Sequence, residues 1–268
     1  MLIKPHEGRP PWPRHPGLRD RAWLGQGEAE TQVTLAMLIW ALLPVVLAVG
    51  AAIGFWVVYA MAVANGSVNI TVVFPYISTC GSFPPQSCIF GQVLNLGAFV
   101  VVWISVLKYQ QVREYGCHSA LNTTGLVLGL LCALGASIVG NFQQSNQLET
   151  HLVGAFLAFA VGVGYFWVQA ILTYRVTPRH GGNWIGPIRI FLCAGSTTFL
   201  VAMVTLHMVG LRSVAAGCEW ALAMTLFLLF GLFAVEFRHV TGCSLRLQCP
   251  MPTHTHELVT ASNPTLAL

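Results

Sequence analysis

Two cysteines, two histidines and one glutamate are the residues of this chain whose types and positions could do chemistry. Cys80 and Cys88 share the uncharged segment FPYISTCGSFPPQSC, with seven residues between them, including Pro84 and Pro85. Such a segment could be a redox or metal site, a ligand lid or a structural clasp. The spacing is not CxxC and the loop holds no histidine, which argues against metal. On an oxidising side of a membrane the expectation is a Cys80–Cys88 disulfide. His151, His207 and Glu219 lie near the ends of apolar runs, with Asn141 and Gln143 close in sequence to His151. Ionisable residues at membrane depth are costly and often functional. Two readings of this polar cluster stand: hydrogen bonds that tie helix ends together, or a pH-responsive pair or triad in an acidic organelle. Two histidines and one carboxylate make a poor transition-metal site.

The remaining chemistry is sparse. Asp20 is the only aspartate, and there is no HExxH, nucleophile elbow, P-loop or GxGxxG. A dihaem cytochrome would need two opposed histidine pairs at depth, and a histidine/aspartate zinc hydrolase would need aspartates. No catalytic residue, metal or cofactor is therefore expected, and the chain is read as not an enzyme.

The elements that must position these groups follow from composition. The 268 residues are 55% hydrophobic and 8% charged, with a mean hydropathy of +0.68. A soluble domain carries roughly 25% charged residues, so the bilayer must be the solvent for this chain. Six apolar runs approach the ~20 residues a spanning helix needs: 35–63, 89–107, 121–139, 152–173, 188–209 and 215–235. The fifth is diluted by Thr197, Thr198 and His207. The expected fold is an all-α, six-helix transmembrane bundle over 35–235. A disordered Pro/Arg-rich extension (1–34) precedes it and a tail (236–268) comes after it. No signal peptide is evident. Twelve lysines and arginines fall at the side of the termini and one, Arg212, at the other. The positive-inside rule then places both termini in the cytosol and residues 74–88 on the luminal or outer side. A net charge of +4 arranged this way is an orientation signal and does not imply nucleic acid.

Three sequons test that orientation. Asn65 and Asn69 fall in the first loop, where glycosylation is expected, and Asn122 falls on the cytosolic side, where it is not. Gly125, Gly129, Ala133 and Ser137 recur every fourth residue, as do Gly154, Ala158 and Gly162, and Gly50 and Gly54. Small residues at this spacing let helix backbones approach closely. Asn95 and Gln169 are expected to make interhelical hydrogen bonds. Cys117, Cys243 and Cys249 are candidates for S-acylation. Cys132 and Cys193 read as small buried residues, and Cys218 as a free thiol.

The ordered motifs FPYISTCGSFPPQSCIFGQVLN, SIVGNFQ, HLVGAFLAF, GYFWVQAILTYR and CEW resemble the damage-regulated autophagy modulator (DRAM) family, and most closely its transmembrane protein 150 branch. The resemblance covers about residues 37–238. It implies six helices with cytosolic termini, and a role in macroautophagy and cell survival at lysosomal, endosomal, autophagosomal and plasma membranes. Its implied partners are membrane lipids and unidentified membrane or autophagy-machinery proteins. Pro75, Tyr76, Ile77, Phe142, Tyr165, Gln169 and Trp220 match as a fold signature, together with Cys80, Cys88, Asn141, Gln143, His151 and Glu219. No catalytic residues come with it. Members of this branch usually begin just before the first helix, where Met37 stands here, so residues 1–36 read either as an alternative start or as an artefact of gene prediction. The rival readings are a channel or channel-modulating subunit, and a lipid-organising scaffold.

Overall fold

The structure, a computed structural model, describes residues 19–115, 119–176 and 182–238, with side chains from Leu38 onward. Nine α-helices occur among them. They are α1 (Arg19–Ala64), α2 (Ile77–Cys80), α3 (Gln86–Glu114), α4 (Ala120–Asn141), α5 (Leu148–Phe156), α6 (Gly162–Arg175), α7 (Ile185–Val209), α8 (Arg212–Gly231) and α9 (Phe233–Phe237). A π-helical turn, Leu157–Val161, joins α5 to α6. Six stretches are long and apolar enough to cross a membrane: Leu38–Ala64, Gln86–Glu114, Ala120–Asn141, Leu148–Arg175, Ile185–Val209 and Arg212–Phe237. In lipid a backbone must satisfy its own polar groups, which leaves the helix as the form for each run. The fifth tolerates its threonines because Thr197 and Thr198 donate to the carbonyls of Cys193 and Ala194, one turn back.

Two boundaries differ from expectation. The backbone of residues 19–34, expected to be disordered, is helical. The prolines of the N-terminal segment end at Pro16, and residues 19–34 are rich in helix formers such as Ala, Leu, Gln and Glu. At the other end the last span runs through α9, so Glu236 lies inside the bundle and not in a tail. The S-acylation candidates Cys117, Cys243 and Cys249 lie outside the described residues.

The bundle has an apolar core that also buries several polar side chains, and its outer face is apolar. Arg189, Gln86 and Ser196 are fully buried, while Phe191 is 77% exposed and Leu228 60% exposed. Helix pairs approach through glycine. A Cβ on Gly129 would collide with Ser105 Oγ, and one on Gly154 would sit 2.6 Å from Ile138 Cγ2. A Cβ on Gly135 would sit 2.5 Å from the backbone nitrogen of Ala158. Close packing therefore explains the α4 and α5 stripes. Gly54 packs on Val93, but a Cβ on Gly50 would meet nothing within 4 Å. Two aromatic clusters fill the core. Phe55, Phe90 and Trp220 lie towards the first loop, and Tyr165, Phe166, Phe230, Phe233 and Phe237 towards the opposite end.

Candidate functional site

The first loop is fastened to the bundle residue by residue. After α1 the chain turns on Asn65 and Asn69, whose side-chain oxygens accept from the N–H groups of Ser67 and Thr71. From Phe74 onward nearly every residue finds a partner. Ser213 Oγ accepts from the Phe74 N–H at 3.2 Å, and the Pro75 carbonyl accepts from Trp220 Nε1 at 3.1 Å. The Tyr76 hydroxyl meets His207 Nδ1 at 2.9 Å. Glu219 Oε2 accepts from the Ile77 N–H at 2.7 Å, and Gln144 Oε1 accepts from Ser78 at 3.1 Å and Thr79 at 3.2 Å. The Ile77 N–H opens α2 and has no partner within that helix, so the carboxylate supplies the missing acceptor. Trp220 also packs its ring 4.7 Å from Trp56 and 5.7 Å from Tyr59. Burial raises the Tyr76 hydroxyl above its ordinary range, with Glu219 adding to the effect.

The five members of the expected polar cluster do not share one hydrogen-bond network. Asn141 pairs with Asn95 across α3 and α4, where Ser137 also donates to Asn95 Oδ1. Gln143 accepts from Asn146 within its own loop. His151 Nδ1 lies 2.7 Å from the Phe142 carbonyl. His151, His207 and Glu219 do converge, with Tyr76 and Gln144, on a hollow of about 300 Å³ between α5, α7 and the loop. Among the described residues no group of three or more histidines, cysteines or carboxylates could hold a metal ion. The signature residues divide by role. Pro75, Tyr76, Ile77 and Trp220 build the clasp, Phe142 holds His151, and Tyr165 and Gln169 are buried in α6.

The expected disulfide is not formed, which corrects the reading from spacing. Cys80 and Cys88 are both free thiols, the first fully buried and the second exposed. Cys80 ends α2 against the inner cluster, while Cys88 lies in the first turn of α3 on its outer side. Hydrogen bonds, and not a covalent bond, hold the loop. Burial, reinforced by Glu219, pushes the Cys80 thiol up to about 12. It stays protonated and unreactive at neutral pH, because the thiolate is the nucleophile. In the unreduced native protein a maleimide is expected to label Cys88 within minutes and Cys80 only after denaturation. Equal protection of both until reduction would restore the bridge.

A second constellation lies at the opposite end and was missed in the sequence. Glu236 sits between two cations, with Lys108 Nζ at 2.8 Å and Arg189 Nη1 at 3.1 Å. All three are buried. Lys108 also donates to Gln111, and Arg189 to Thr173. Both cations lie over the Phe233 ring, at 5.9 and 5.0 Å. The signal available was three charges at the ends of three different spans, two of which the positive-inside rule uses for orientation alone.

Relatives give the chain its lineage. Residues 39–240 match the family described as the Frag1/DRAM/Sfk1/Cwh43P N-terminal domain. A Xenopus tropicalis protein named Modulator of macroautophagy TMEM150B is 60% identical over 206 residues, or 77% of this chain and 90% of that protein. The Homo sapiens protein of the same name is 53% identical over 214 residues, 80% of this chain and 91% of its own length. Transmembrane protein 150A of Xenopus laevis is 34% identical over 236 residues, 75% of this chain and 85% of its own. No solved structure matches. The chain belongs to the Frag1/DRAM/Sfk1/Cwh43P family.

Proposed function

We propose that this chain is a non-enzymatic multipass membrane protein that modulates macroautophagy and cell survival. The observation that carries the macroautophagy part of the proposal is identity above one half, over nine-tenths of their length, to relatives named modulators of macroautophagy; cell survival comes from the family resemblance alone. The non-enzymatic reading is supported by the way Glu219, Tyr76 and His207 are used: their bonds position a loop, not a reacting atom. The channel reading is disfavoured by a central cavity lined almost wholly by apolar side chains. Endosomal, lysosomal, autophagosomal and plasma membranes are the proposed sites of action. Membrane lipids and autophagy-machinery proteins are the proposed partners. Depleting the protein is expected to change autophagic flux, measured as marker turnover with and without lysosomal inhibition, and re-expression to restore it. Unchanged flux on depletion would overturn the proposal.

The proposed orientation, with both termini cytosolic, has its own check. Asn65 and Asn69 are both exposed, but Asn65 Nδ2 donates to the buried Gln86 at 2.7 Å. Asn122 is buried, and its Nδ2 donates to the Tyr109 carbonyl. Sugar is therefore expected mainly on Asn69, less on Asn65 and not on Asn122. Asn69→Gln should remove most of a glycosidase-sensitive mobility shift. A shift that survives removal of both loop asparagines would reverse the orientation.

A further inference from the structure

The end of the bundle opposite the first loop buries a positive charge that its own carboxylate does not balance. Lys108 and Arg189 share Glu236, and all three groups are buried. Arg189 is 0% exposed. Its Nη1 is in use, donating to Thr173 and, at 3.1 Å, to Glu236. Phe233 covers one face of the guanidinium, with Cζ 5.0 Å from the ring centre. Nε and Nη2 are buried as well, and neither has a hydrogen-bond partner.

These two nitrogens form one edge of the guanidinium. Their N–H bonds run side by side, in the rigid fork through which arginine binds anions. A buried donor without an acceptor is costly, and more so on a charged group. Here two such donors lie on one cation with a second cation nearby, so a negative charge answers the site better than a dipole does. Tyr165 packs on the same Phe233 ring, with centroids 6.2 Å apart, and its buried hydroxyl has no partner either. That hydroxyl can serve as a further donor.

Burial and charge identify the occupant. A peptide carboxylate or a lipid phosphate comes with a body attached, and needs an opening to the guanidinium. A free monatomic anion does not. Its single charge also equals the excess left by two cations and one carboxylate. The surroundings favour its entry: at this end Arg113, Arg175 and Arg238 are exposed, against one exposed carboxylate, Glu114, among the described residues. Such a field concentrates anions. The uncharged alternative is a water that bridges Arg189 to the unpartnered Oε1 of Gln169. It satisfies the donors and leaves the excess charge in place.

We propose that the Nε–Nη2 edge of Arg189 is a binding site for chloride, enclosed where α6, α7 and α9 meet. The ion brings the buried charge to zero, and makes the stability of this end depend on the anion supplied. The inference does not rest on the autophagy reading, and its test measures binding and stability alone.

Purified full-length protein in an uncharged detergent is melted in sodium chloride, bromide or gluconate at equal ionic strength. Melting is expected on the order of 5 °C higher in chloride than in gluconate, because a ligand of the native state stabilises by mass action. Bromide should come close to chloride. Arg189→Lys keeps the charge but removes the fork, and should abolish the difference. Lys108→Met removes the excess charge, and should reduce the difference severalfold. Arg113→Gln, on the exposed rim, should leave it unchanged. Equal melting in chloride and gluconate would overturn the site and leave water as the occupant. A difference that persists in full in a folded Arg189→Lys or Lys108→Met protein would also overturn it, since general salt effects would then suffice. Should a variant fail to fold, equilibrium dialysis of the unaltered protein against radioactive chloride decides. A single ion held per chain, displaced by bromide and not by gluconate, supports the site, and no retention above the buffer rejects it.

Discussion

Replacing Glu236 by alanine is expected to cost about 3–5 kcal/mol, the largest loss for any single charge in the bundle, because it strands two buried cations. The carboxylate has Lys108 at 2.8 Å and Arg189 at 3.1 Å, and all three groups are buried. Two positive charges and one negative charge leave an excess of one. Removing Glu236 raises that excess to two and gives the cations nothing but each other. Removing a cation does the reverse. Lys108→Met leaves one guanidinium facing one carboxylate, and gives up the hydrogen bonds to Glu236 and Gln111. Its cost should be on the order of 1 kcal/mol, the usual net worth of a hydrogen bond. Arg189→Met also leaves a neutral pair, but Thr173 and the face of Phe233 lose a partner. The expected order of damage is thus Glu236→Ala, then Arg189→Met, then Lys108→Met. Thermal melting of the detergent-solubilised protein would check it, with Glu236→Ala lower by on the order of 10 °C. If Lys108→Met were as damaging as Glu236→Ala, the charge argument would fail and shape alone would explain the site.

The six spans were legible because lipid imposes a length and a composition that few other constraints imitate. Which faces pack was less legible. A helix that is apolar all round gives no stripe to read, so the signal lay in small residues. Gly129 and Gly154 carried it correctly, whereas the Gly50 position faces open space. The cysteine bridge was misread because loop length says only that two ends could meet. Helix register decides where they point, and it turns Cys88 outward while α2 buries Cys80. Residues 19–34 were misread because composition was averaged across a segment whose prolines stop at Pro16. The buried triad escaped for a different reason. Lysine and arginine at span ends usually reach for water, so Lys108 and Arg189 were counted for orientation. Their common partner is 47 residues from one and 128 from the other, which no local pattern reveals.

Trp220→Ala should release the first loop, with a loss of about 3–5 kcal/mol typical of deleting a buried large aromatic residue. Trp220 is 5% exposed and does two things. Its ring fills the space bounded by Trp56, Tyr59 and Phe74, with centroids 4.7, 5.7 and 6.5 Å away. Its Nε1 donates to the Pro75 carbonyl at 3.1 Å, immediately before the Ile77–Glu219 bond. Trp220→Phe separates the two. It retains most of the ring and orphans the carbonyl, which costs about 1–3 kcal/mol for a buried acceptor. Glu219→Gln keeps an acceptor for Ile77 and should disturb the loop least. Limited proteolysis between residues 64 and 86 reads this directly, since cleavage reports how often the loop leaves the bundle. The expected ranking is rapid cutting in Trp220→Ala, intermediate in Trp220→Phe and slow in Glu219→Gln. A disulfide clasp predicts something else: loop protection would then depend on reducing agent and hardly on Trp220. Unchanged cleavage in Trp220→Ala would mean that the polar bonds of Tyr76, Ser78 and Thr79 suffice, and that the aromatic contacts are dispensable.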